Sequence, residues 1–239
     1  MSHRINSLIF ALVFLIVLQS TKFAFRILVP ALVLYSAALM YYNFRYLKQH
    51  GFYTFWIWIR QLFFLAAIVS IYFVQPAGYI QDLYLVLMTL LIFLFELGIN
   101  FASEQLSFLQ TLLTYFGLSL GILAVNFYFL PRLVLTLAAI TILTFMVARS
   151  SFGYVPQPPA RKNYFSALLA LSILELGWAL SFLPFHFTAL AVILFNAFYV
   201  IWIVIYYHLY NNLTPKKVYF HLVFSSLVVL LVFLSTPWK

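Results

Sequence analysis

The chain has four acidic residues, and two of them stand in the same tripeptide, Glu-Leu-Gly, at 96–98 in "LFELGIN" and at 175–177 in "ILELGWA". Both tripeptides lie inside long apolar runs. A carboxyl group inside a membrane span is costly, so it faces protein or a water-filled cavity and marks a candidate site with a partner to be named. Thr89, Glu96, Asn100 and Ser103 are spaced 7, 4 and 3 apart, which puts them on one helix face. Arg60 enters its own helix about two turns from the same end, so an Arg60–Glu96 pair is geometrically allowed. An ion pair that fixes the helix arrangement is the first expectation, and a functional site the second.

Glu175 lies eleven residues past Tyr164. At 1.5 Å per residue that is roughly 16 Å, near the middle of a bilayer core. Ser172, Glu175 and Ala179 form a small, polar face, and Asn196 in the next helix reaches a similar depth. Glu175 is therefore expected in an inter-helix cavity with Asn196. A proton or cation site and a plain inter-helix hydrogen bond are both open readings of that pair.

Further along, Ser107, Gln110, Thr114, Gly117, Gly121 and Ala124 follow spacings of 3, 4, 3, 4 and 3. A heptad-like stripe of small and polar residues suits close helix contact, and Gly117 and Gly121 also make a GxxxG pair. The same stretch, "GLSLG", matches the hydrolase pattern G-x-S-x-G. That chemistry needs a strand-to-helix elbow and a His partner, whereas this run is mid-helix, so packing is the reading. The five His show no metal-ligand spacing. "NLT" at Asn212 matches a glycosylation sequon, but Pro215 follows it and the loop is expected to be cytoplasmic. No phosphate loop or dinucleotide fingerprint occurs, cysteine is absent, and neither a metal nor another cofactor is expected.

The elements that position these residues follow from composition. Of 239 residues 66% are hydrophobic and 7% charged, more apolar surface than a water-soluble core could hide. The continuous runs are near the length that an α-helix needs to cross a bilayer and are unlike the alternating segments of a membrane barrel. The class is an all-α, polytopic membrane protein in a single transmembrane domain. Spans are read at 5–21, 24–44, 54–75, 80–100, 104–128, 131–149, 164–184, 186–210 and 218–236. That makes nine, or eight if the short first run pairs with the second as a re-entrant hairpin. The first run lacks a cleavage-like ending and is read as retained. The prolines fall in or beside the loops, with Pro30 alone inside a helix near its start. The stretch "SFGYVPQPPARKN" is expected to be an extended loop.

The net charge of +9 comes from Lys and Arg scattered at run ends, a pattern that sets membrane orientation rather than binding nucleic acid. Arg4, Arg45, Lys48, Arg60, Arg149, Arg161, Lys162, Lys216 and Lys217 collect on one side, and Lys22, Arg26, Arg132 and Lys239 on the other. That bias puts the N-terminus in the cytoplasm and the C-terminus outside, and the expected location is a bacterial or archaeal cytoplasmic membrane.

Cuts at "FVQP" and "YVPQPP" divide the chain into thirds, 1–77, 78–157 and 158–239, each with three helices. The two Glu-Leu-Gly tripeptides sit at matching places in the second and third. An odd helix count inverts neighbouring units, and inverted repeats are a common transporter plan. Duplication of a packing unit, or coincidence, is the plainer explanation. Two functions follow. A small transporter or permease-like protein with intramembrane carboxylates is placed first. A structural or assembly subunit, packed against other membrane proteins or itself, is second, on the 21% aromatic content and its contact-rich surfaces. An enzyme needs a convergent nucleophile, base or metal and ranks last. A cavity reaching Glu175 would separate the first two.

Overall fold

The computed structural model describes residues 2–20, 30–39, 41–42, 55–75, 78–101, 104–130 and 132–235. Among them every regular element is helical. The order is α1 (Ser2–Ser20), α2 (Pro30–Leu39), α3 (Phe55–Val74), α4 (Tyr79–Phe101), α5 (Glu104–Phe129), α6 (Leu133–Ser151), a 3-10 turn (Phe152–Tyr154), α7 (Pro159–Leu180), α8 (Phe187–Leu209) and α9 (Pro215–Ser235). Helix is the form in which an apolar run satisfies its own backbone donors and acceptors away from water. The helices α4 to α9 carry six stretches long and apolar enough to cross a bilayer, and α1 to α3 carry shorter ones among the described residues.

Two apolar clusters fill the bundle. One joins α1, α2, α3 and α4 around Phe14, Leu39, Ile68, Tyr72 and Leu85. The other joins α5, α6, α7 and α8 around Tyr115, Ile140, Leu169, Phe198 and Trp202. The seam between them is the parallel contact of α3 and α5, and it lies where α5 carries its glycines. A β-carbon on Gly117 would stand 2.8 Å from both the Cβ and the carbonyl oxygen of Ala67, and one on Gly121 would stand 2.7 Å from the Ser70 side chain. At Gly117 the obstacle includes backbone, so no β-carbon fits there; at Gly121 it is the Ser70 side chain alone. On its other side α5 meets α8 antiparallel, through Tyr115 stacked on Phe198 at 3.8 Å and Phe108 against Trp202 at 4.9 Å.

Two expectations about boundaries change. The segment 151–163 is not an extended loop. The helix α6 runs through Ser151, the 3-10 turn follows, and Phe152 and Val155 are buried in the core. The helix α7 then begins at Pro159 rather than near 164. Proline at the first helical position has its torsion preset and lacks a donor that would go unpaired there anyway; Pro215 likewise opens α9. The second change is at the far end of α7, which stops at Leu180. At the end of α8, Asn211 takes φ 55° while the Asn212 amide donates to the Tyr207 carbonyl at 2.9 Å, a left-handed C-cap that asparagine tolerates.

Candidate functional site

Glu96 sits near the last turns of α4 and is buried, with Arg60 (4% exposed) and Gln61 of α3 and Gln110 of α5 buried at the same end of the bundle. Glu96, Gln61 and Gln110 line a cavity of about 10 Å³ closed by Leu39, Phe64, Leu65, Ile92 and Phe95. Arg60 reaches across the α3–α5 seam and donates from Nη1 to the Ser107 hydroxyl. Polar side chains from three helices thus meet in an apolar wall, an arrangement that stays folded only when the groups satisfy one another. The side chain of Asn100 lies outside the described residues.

The structure separates Glu175 from Asn196. Helix α7 turns Lys162, Ser166, Leu169, Ala170, Ile173, Gly177 and Leu180 inward. This small-sided stripe lets it approach α6, and Gly177 lies against Leu137. Glu175 is on the opposite face and exposed, as is Ala179, with Ser172 half-exposed. Asn196 is buried and its Nδ2 donates to the Ser225 carbonyl of α9 at 2.8 Å. The expected inter-helix cavity holding both residues is therefore corrected: packing of α7 is decided by its small residues, and the carboxyl is left outside. Depth changes too. Glu175 stands five residues from the Leu180 end of α7, about 7.5 Å of rise, and sixteen from its Pro159 start, rather than midway along the helix. The glutamates of the two Glu-Leu-Gly tripeptides accordingly occupy unlike surroundings, Glu96 buried and Glu175 exposed.

The exposed face of α7 has its own order. Tyr164, Leu168, Leu171, Glu175 and Trp178, followed by Phe182 in the turn just past the helix, are all exposed, at spacings of 4, 3, 4, 3 and 4, the register of residues in a left-handed helix–helix seam. Trp178 and Phe182 pack edge to face at 5.4 Å. A further lateral groove of about 720 Å³ opens between α3, α5 and α6, lined mostly by apolar side chains with Ser70, Gly121 and Thr136 among them. A smaller cavity of about 220 Å³ lies between α5, α6, α7 and α8, beside Asn126, whose side-chain oxygen accepts from the Thr136 hydroxyl at 2.8 Å.

Arg149 and Lys162, read from the sequence only as orientation charges, are buried where α6 ends and α7 begins (7% and 9% exposed). The guanidinium of Arg149 lies 4.6 Å over the Trp56 ring, and its Nε donates to the Asn163 side-chain oxygen. The Lys162 ammonium donates to the Gly153 carbonyl at 3.3 Å. The signal that could have found them was the coincidence of Arg149 with a helix C-terminus and of Lys162 with the next N-terminus. Among the described residues no group of three or more His, Cys, Asp and Glu side chains is placed to hold a metal ion. Comparison with protein-family models, with curated proteins and with solved structures finds no match.

Proposed function

We propose that this multi-pass membrane protein is an assembly subunit that binds another membrane protein laterally through the outward face of α7, with a basic side chain of the partner opposite Glu175. The observation that carries this is the exposed carboxyl within an apolar span. A charge presented to lipid is unfavourable, and natural spans pair such groups with an opposite charge or a polar cavity. Charge complementarity selects a basic partner, and the 4, 3, 4, 3, 4 register of bulky residues around Glu175 supplies the apolar part of the seam. The transport reading rested on the inverted-repeat reading and the two intramembrane acids, with a cavity at Glu175 as the feature that would favour it. Glu175 is on an exposed face, and the cavity beside Glu96 has room for about one water at most. Nine spans, read from the apolar runs, and a cytoplasmic N-terminus with an external C-terminus, read from the charge bias, belong to the same proposal.

The test places a photo-crosslinking residue at Leu171, Trp178 or, as a control, Leu230 on the exposed face of α9, in the native membrane. The proposal expects one discrete heteromeric adduct from positions 171 and 178, none from 230, and loss of that adduct in Glu175→Leu. Adducts of twice the chain mass would make the partner a second copy and overturn the assignment, as would lipid adducts alone or equal yield from position 230.

A further inference from the structure

At the end of the bundle away from Glu175, the cluster of Arg149, Lys162 and Trp56 has more donors than the described residues use. Among the described residues, Arg149 spends Nε on Asn163 and makes no hydrogen bond from Nη1 or Nη2. Lys162 spends one of its three N–H groups on Gly153. The two cations act on each other electrostatically, and their side chains have no carboxylate partner among the described residues. As residues Arg149 and Lys162 are mostly covered, but the Arg149 terminal nitrogens are not among the buried atoms left without a partner, so they are open to an outside anion. An anion joining the two neighbouring cations offsets their repulsion.

The geometry restricts that anion. Asn163 accepts from Nε and the guanidinium carbon lies over the Trp56 ring, which leaves the two terminal nitrogens as a planar pair of donors. That pair matches two oxygens of a phosphate or carboxylate, with an ammonium beside it as a point charge. The level in the membrane narrows it further. Arg161, Lys216 and Lys217 lie on the first turns of α7 and α9 at this same end, and Trp56 is of the type found at the headgroup belt. The anion that is abundant at that depth is a phosphodiester on a lipid.

We infer that Arg149, Lys162 and Trp56 form a site for a phosphate-bearing anion, and that its ligand is the headgroup of an anionic phospholipid in the leaflet on the basic side. Lysine and arginine along the ends of α7 and α9 draw such lipids to the surface. Arg149 and Lys162 then hold one headgroup in a defined place, with Trp56 backing the guanidinium. This does not depend on the partner proposed for α7, because it lies at the other end of that helix.

The experiment uses the full chain purified in neutral detergent. Its melting temperature is followed while phosphatidylglycerol, phosphatidylcholine or inorganic phosphate is added, and bound lipids are counted by native mass spectrometry. Phosphatidylglycerol is expected to raise the melting temperature by several degrees and to be retained as one tightly held lipid, with phosphatidylcholine and phosphate far weaker. Arg149→Gln and Lys162→Gln should each weaken phosphatidylglycerol binding roughly fivefold, the effect of one basic residue at a lipid surface. Arg149→Lys, which keeps the charge but loses the planar fork, should bind more tightly than Arg149→Gln and less tightly than the parent, and guards against a variant that merely misfolds. Equal stabilisation by inorganic phosphate would overturn the lipid assignment. Equal response to the two lipids, or unchanged retention in both Gln variants, would overturn the site.

Discussion

Gly117 of α5 faces Ala67 of α3 so closely that an added β-carbon would lie 2.8 Å from both the Ala67 Cβ and its carbonyl oxygen. One obstacle is backbone, so no side-chain adjustment relieves it. Gly117→Ala is expected to lower stability by about 1–3 kcal/mol, the range for overpacking a filled interior. Gly121→Ala meets only the Ser70 side chain, so a second change, Ser70→Gly, should restore most of its loss, whereas Ala67→Gly should restore only part of the loss in Gly117→Ala. Thermal melts in detergent read this directly; parent-like melting of both single variants would remove the seam.

The buried end of α4 gives a second test. Glu96 and Arg60 are both buried within the same membrane half, and neutralising one buried charge strands the other. Glu96→Gln is expected to destabilise by roughly 3–5 kcal/mol if the carboxylate balances Arg60. Combining Arg60→Met with Glu96→Leu should recover much of that loss, and a double variant no better than the worse single one would show that the two do not compensate.

Trp202 of α8 donates from Nε1 to the Ser151 hydroxyl at 2.7 Å, with both residues buried. Trp202→Phe keeps an aromatic ring but removes the donor and part of the ring volume, while Ser151→Ala leaves the indole N–H without its acceptor. Each is expected to cost about 1–3 kcal/mol, the range for a buried polar group that loses its partner. A double variant should cost less than the sum of the singles; strict additivity in the melts would show that the hydrogen bond contributes nothing.

Membrane orientation is tested on a background with no cysteine. Single cysteines at 161 and 217 are expected to react with an impermeant thiol reagent from the cytoplasmic side and one at 239 from outside. Labelling of 161 and 239 from the same side would mean that the nine-span threading is wrong.

One packing feature is legible in the sequence. The stripe from Ser107 to Ala124 could be read because glycine is rare in this chain and its spacing repeats, and the sites of close approach at Gly117 and Gly121 fall within it. Glu175 was misread because α7 is apolar on most sides and the periodicity gives no sign of which face turns inward. In a water-soluble helix the polar face is the outer face. Between lipid and a protein core both faces are apolar, and one carboxyl is compatible with either.

Depth failed for a related reason. Counting from Tyr164 assumed that prolines end helices, while Pro159 begins one. For Arg149 and Lys162 the sequence offers only their places at a helix end and the next helix start; that they meet depends on a turn across thirteen residues whose path is set by the burial of Phe152 and Val155.

The sequence by itself determined the medium and the helical form. A chain with so little polar surface has to lie in lipid, and backbone groups there have to bond within their own segment. Only the tertiary structure decided which polar side chains are inside. Helix α7 settles on its small residues against α6, which buries Ser166 and Gly177 and turns Glu175 outward, while α8 turns Asn196 toward the Ser225 carbonyl. Those choices follow from how closely particular backbones can approach one another, a property of helix pairs that no single span carries in its own residues.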